Sequence, residues 1–196
     1  MKPIQRTLVA LAAVLCTAGA QADTLFTLGA TGALVTPGSL DTTFAAGAGS
    51  GLLSLQVQGY NSLDGDNYYI DIFRVRVNGA EVFSGTWNLG GGGADRVLSN
   101  PNGAIFAHVG SIVDLSIPVT FMAGANTVNF AYESPNFFEG SNRAGAQGIG
   151  DEGWGLNAVS ISGNAVAAVP EPGTYALMLA GLGLIGVVKR HRAAAR

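Results

Sequence analysis

The chain has 196 residues, 48% of them hydrophobic and only 12% charged, with 29 glycines and a single cysteine. Its formal net charge of −3 hides a division. Residues 23–168 hold twelve of the acidic groups against four arginines (Arg74, Arg76, Arg96 and Arg143) and no lysine, a net charge of −8. An acidic, lysine-free segment offers no basic patch, which excludes nucleic acid and anionic lipid as partners.

Residues 1–22 read as a secretory signal peptide. Lys2 and Arg6 precede an apolar core over residues 8–15, and Ala20-Gln21-Ala22 forms a small-x-small site for signal peptidase. Cleavage is expected between Ala22 and Asp23. Cys16 lies inside this segment, so the exported chain has no thiol and no disulfide.

Residues 23–168, 146 in number, are enough for one domain with its own core. The pattern predicts strands over 52–58, 70–77, 80–83, 112–121, 127–132 and 156–162, because apolar and polar side chains alternate there. Asn78-Gly79 between two of them is a strong hairpin signal, since both residues tolerate positive φ. No stretch holds a helical period. Short strands separated by Gly, Asn and Pro clusters predict an all-β fold, a single jelly-roll-like β-sandwich. Gly90 to Gly93 lacks the lysine of a phosphate-binding loop and reads as a flexible loop.

Catalytic motifs are missing from the pattern, so no enzyme is expected. His108 is the domain's one histidine, and there is no nucleophile elbow and no histidine-rich metal motif. Asp151 and Glu152 are adjacent, and neighbouring side chains on an extended backbone diverge. A secreted hydrolase would need carboxylates brought together by the fold.

Two patches carry alternatives. Asp64-Gly65-Asp66-Asn67 is followed by Asp71, which shares a strand face with Phe73, Val75 and Val77. An aspartate on an apolar face is costly unless paired or bound to metal. Asp64, Asp66 and Asp71, joined by Glu152 ahead of the last strand, are candidate Ca²⁺ ligands; the other reading is a solvated turn with Asp71 hydrogen-bonded locally. Tyr68 and Tyr69 exclude an EF-hand loop. Tyr68, Trp87 and Trp154 are candidate sugar-stacking rings, or else core aromatics.

Residues 169–196 fall into three parts: Val169 with Pro170-Glu171-Pro172, an uncharged apolar run over about 173–188, and a basic tail with Lys189, Arg190, Arg192 and Arg196. The run is short for a bilayer at ~1.5 Å per residue, and spans only if the membrane thins around it. The positive flank places the tail in the cytoplasm and everything before Val169 outside. The prolines hold Glu171 in an extended segment suited to a processing enzyme.

Motif, helix and tail together resemble the PEP-CTERM sorting signal of Gram-negative bacteria. The resemblance implies recognition by an exosortase, a membrane-embedded cysteine transpeptidase-like enzyme found with exopolysaccharide systems. It implies transient anchoring by the helix, then delivery to the cell surface or matrix. Gly150 to Asn157 is also similar to a Glu-x-Trp-Gly-hydrophobic-Asp-Asn segment of PEP-CTERM ectodomains, with Asn157-Ala158 standing where that pattern has Asp-Asn. Three roles follow as expectations: a structural or adhesive protein of the biofilm or exopolysaccharide matrix, a carbohydrate-binding module, or a secreted hydrolase.

Overall fold

The structure, a computed structural model, describes residues 22–135, 149–166 and, nearer the C-terminus, 173, 176–183, 185 and 190. Residues 1–21 of the expected signal peptide, Pro170, Glu171, Pro172, Lys189, Arg192 and Arg196 lie outside the described residues. Two compact units divide the chain, Met1–Val166 and Ala167–Arg196.

The described part of the first unit is built of strands. In chain order they are β1 (Asp23–Leu28), β2 (Leu34–Val35), β3 (Gly38–Ala46), β4 (Gly49–Asn61), β5 (Leu63–Asp64), β6 (Ile72–Val77), β7 (Ala80–Thr86), β8 (Gly90–Gly92), β9 (Arg96–Ser99), β10 (Ile105–Val109), β11 (Ile112–Phe121), β12 (Gly124–Glu133) and β13 (Glu152–Gly163). One sheet runs β1-β13-β4-β11-β10, with β2 added against β13; the other runs β3-β12-β6-β7-β9. Both are antiparallel. Counting only the eight long strands, the sheets read 1-8-3-6 and 2-7-4-5, which is the jelly-roll order. The expected all-β sandwich is the observed fold.

The core follows from strand parity. Along β4, Leu53, Leu55 and Val57 turn inward, and each pairs in register with Ile117, Leu115 and Val113 of β11. The facing sheet supplies Phe73, Val75 and Val77 from β6 and Val128, Phe130 and Tyr132 from β12. Both sheets therefore bury one face against the other, and the burial drives the pairing. On the outer face of β6 the alternate positions, Arg74 and Arg76, meet acids. Arg74 pairs with Glu81 and Glu133 at 2.7 Å each, and Arg76 reaches Glu133 at 3.3 Å.

The β6–β7 hairpin turns at Asn78 and Gly79, whose φ values are 51° and 81°. Asn78 is also tied sideways to β12: its carboxamide oxygen accepts from Thr127 N at 2.9 Å and its amide donates to Asn126 at 2.8 Å.

The structure corrects the glycine run. Residues 90–92 are not a loop but the strand β8, paired in parallel with β5. Gly90, Gly92 and Gly93 have φ between 80° and 130°, a backbone region closed to most side chains, which is what the alternating-residue pattern misses. The strand expected from residue 70 begins at Ile72. Strands β1, β2, β3, β5 and β9 lie outside the expected set.

In the second unit the described residues are helical, within the expected 173–188 run and at Arg190. Among the described residues, no helix is long and apolar enough to cross a membrane.

Candidate functional site

One end of the sandwich gathers the ends of several strands. Asp64 closes β5, Asp71 stands one residue before β6, Glu152 opens β13 opposite Asn61 of β4, and Ser134 follows β12. The parity that turns Phe73, Val75 and Val77 inward also turns Asp71 inward, as the sequence pattern requires. Asp71 has no exposed surface, and Asp64 and Glu152 are buried beside it. One carboxylate oxygen from each lies within 4.8 Å of the other two.

Each acid is held in place. Asp71 accepts from the backbone N–H of Asp64 at 2.8 Å, and its other oxygen accepts a short hydrogen bond from the Ser134 hydroxyl. Ser134 also lies 3.4 Å from a Glu152 oxygen. Asp64 accepts from the Asn67 amide at 2.7 Å, and its carbonyl accepts from Thr86 at 3.1 Å. The β8 glycines press on the same carboxylate: a Cβ at Gly91 would stand 2.6 Å from Asp64 Cγ. Only glycine lets the backbone pass this close.

Burial of like charges has a cost here. Loss of water raises the Asp71 carboxyl to about 6, against the lowering effect of its hydrogen bonds. Glu152 is raised to about 7, first by loss of water and then by the charge of Asp71, with Asp151 and Asp64 adding to it. The Tyr132 hydroxyl is fully buried, raised by the same loss of water and by the Asp71 charge, and has no hydrogen-bond partner among the described residues.

These shifts set a direction for stability. A carboxyl with a raised native pKa favours folding most fully below its unfolded value near 4, and loses that contribution as pH climbs through the native value. The chelator-treated protein should therefore weaken from about pH 4 upward, through about 6 for Asp71 and about 7 for Glu152, and level off above that. The expected loss is about 2–4 kcal/mol. Urea melts across that range check it; a flat or rising profile would contradict the geometry of the trio.

Of the four expected metal-ligand residues, three converge. Asp66 does not: it turns outward and pairs with Arg96 at 2.9 Å. Ser134 and Tyr132 were missed, although the inward parity of Val128, Phe130 and Tyr132 runs on to residue 134. Of the two readings of the aromatic rings, the core one holds for both tryptophans. Trp87 and Trp154 have no exposed surface, and both pack with Phe73, at 6.3 and 6.1 Å between ring centroids. Tyr68 alone of the three is open, 67% exposed, with Tyr69 edge-on at 5.2 Å. His108 on β10 bridges Asp95 and the Gly110 carbonyl at 2.7 Å each, away from the trio. A cleft of about 840 Å³ beside β10 is lined by Ser54, Gln56, Ile105, Asp114 and Ser160 among others.

The sequence profile of the PEP-CTERM protein-sorting motif matches residues 168–193. The chain carries a PEP-CTERM sorting signal. The motif indicates export, sorting toward the surface and processing by an exosortase. The motif begins just past the end of the strand-built unit, which closes at Val166. No curated protein matches the chain. Among solved structures, it is similar to a family 35 carbohydrate-binding module from an environmental isolate, at 12% identity over 68% of this chain and 73% of that one, with a TM-score of 0.35. It is also similar to CBM35 from Cellvibrio japonicus Abf62, at 14% identity over 78% of this chain and 94% of that one, with a TM-score of 0.35. The exo-beta-1,3-galactanase from Phanerochaete chrysosporium is similar at 14% identity, over 71% of this chain and 29% of that one, with a TM-score of 0.31.

Proposed function

We propose that this chain is an exported structural or adhesive protein of the cell surface or extracellular matrix, with the jelly roll as its working part and the C-terminal signal as its delivery device. The observation that carries this reading is the order of the two units. A strand-built unit with its own buried core stands entirely ahead of a separate sorting motif. The acidic, lysine-free composition of residues 23–168 suits a role among hydrated anionic polymers, where repulsion keeps the domain soluble.

The test is intact-mass measurement of the protein from cells with and without the exosortase. With the enzyme, the recovered species is expected to begin at Asp23 and to lack the basic tail; without it, the tail persists and the protein stays with the membrane fraction. A chain that reaches the surface with Arg196 intact in the presence of the enzyme would overturn this reading.

A further inference from the structure

We propose that Asp64, Asp71 and Glu152 form a binding site for a hard divalent cation, with Ca²⁺ as the ion that fits best, and that the Tyr132 hydroxyl faces this site. Three buried carboxylates converge within 4.8 Å, close enough to share one ion. The donors are all oxygen, with no imidazole or thiol among them, and that set selects hard cations over zinc or copper. Ser134 adds a neutral oxygen, through the hydroxyl that already contacts Asp71 and Glu152.

Tyr132 is the independent sign. Its hydroxyl is buried, has no partner among the described residues, and lies close enough to Asp71 to feel its charge. A buried hydroxyl without a partner is rare in native structures. A bound cation with its water supplies what this group lacks. Were the three acids instead to neutralise each other by holding protons, the Tyr132 hydroxyl would stay unpartnered. Ca²⁺ is preferred over Mg²⁺ because it accepts irregular oxygen shells of six to eight ligands, whereas Mg²⁺ demands a near-octahedral one. The ion would tie the start of β13 to the β5–β6 connection that carries Asp64 and Asp71, more than eighty residues earlier in the chain.

The test uses the exported protein, stripped with chelator and titrated calorimetrically with Ca²⁺ at constant pH. One ion per chain is expected, with a dissociation constant of the order of 10⁻⁴–10⁻³ M, the range of extracellular modules. At tenfold excess over that constant, the melting temperature should rise by about 3–6 °C. Asp71→Asn and Glu152→Gln should each abolish the rise, while Asp66→Asn keeps it. Tb³⁺ gives a reading on the unmodified chain if a variant fails to fold: excitation through Tyr132 and Trp154, 5.9 Å apart, should sensitise its emission, and Ca²⁺ should quench that emission by displacement. The absence of heat with Ca²⁺, Mn²⁺ and Mg²⁺ at millimolar concentration would overturn the site. A rise retained in both Asp71→Asn and Glu152→Gln would overturn it equally.

Discussion

Trp154→Ala should lower the stability of the domain by about 3–5 kcal/mol, a large part of the 5–15 kcal/mol that holds a typical domain together. The side chain is fully buried. It packs against Phe73 at 6.1 Å and Tyr132 at 5.9 Å, so its loss opens a cavity between the sheets. Its indole N–H also donates to the Val35 carbonyl at 3.1 Å, which fastens the short β2 segment to β13. Urea unfolding of the purified exported protein measures the cost. Tyr68→Ala is the comparison, and at an exposed site it should change stability by less than about 0.5 kcal/mol. Equal effects of the two substitutions would mean that Trp154 does not sit in the core.

Replacing Pro170, Glu171 and Pro172 together by alanine should abolish C-terminal processing. Proline is disfavoured in a helix interior, and Glu171 is the only charge between the strand-built unit and the apolar run. With three alanines the segment becomes a good helix former and presents no extended carboxylate. The processed mass should disappear from cells that make the exosortase, and the unprocessed chain should accumulate with the membrane. Normal trimming of the triple variant would show that the enzyme reads the helix and tail alone. The folded unit ending at Val166 should keep its melting behaviour in this variant, because the altered residues lie in the other unit.

The central strands were legible because their signal is local. Along residues 52–58 and 112–121 the alternation of Leu, Val and Ile with Ser, Gln and Asp is the pleat itself, and β4 and β11 follow it. Asn78-Gly79 gave the hairpin for the same reason. The edge strands carry weaker marks. β3 holds Thr, Ala and Gly among few large apolar residues, and β10 is exposed along most of its length. β8 is three glycines whose pairing is set by what lies beside them.

The acidic cluster was half legible. Asp71 on an apolar face was visible by parity, and so was the proximity of Asp64 in sequence. Glu152 was named with them from its place ahead of the last strand, and the return of β13 beside β4 is what brings it to them. Asp66 misled because it shares a short turn with Asp64, yet side chains two apart on that turn go to opposite environments, one to the cluster and one to Arg96. The tryptophans were read as core or as stacking rings, and their place in or beside strands of a sandwich, which buries its aromatics, pointed to the core where both lie.

The position of β13 has a consequence for the order of folding. It is the last of the described strands in the chain, and it inserts between β1, the first, and β4. One sheet therefore keeps two unmatched strand edges until the far end of the strand-built unit is in place. Closing it joins the two ends of that unit, a pairing of high sequence separation and hence a slow one.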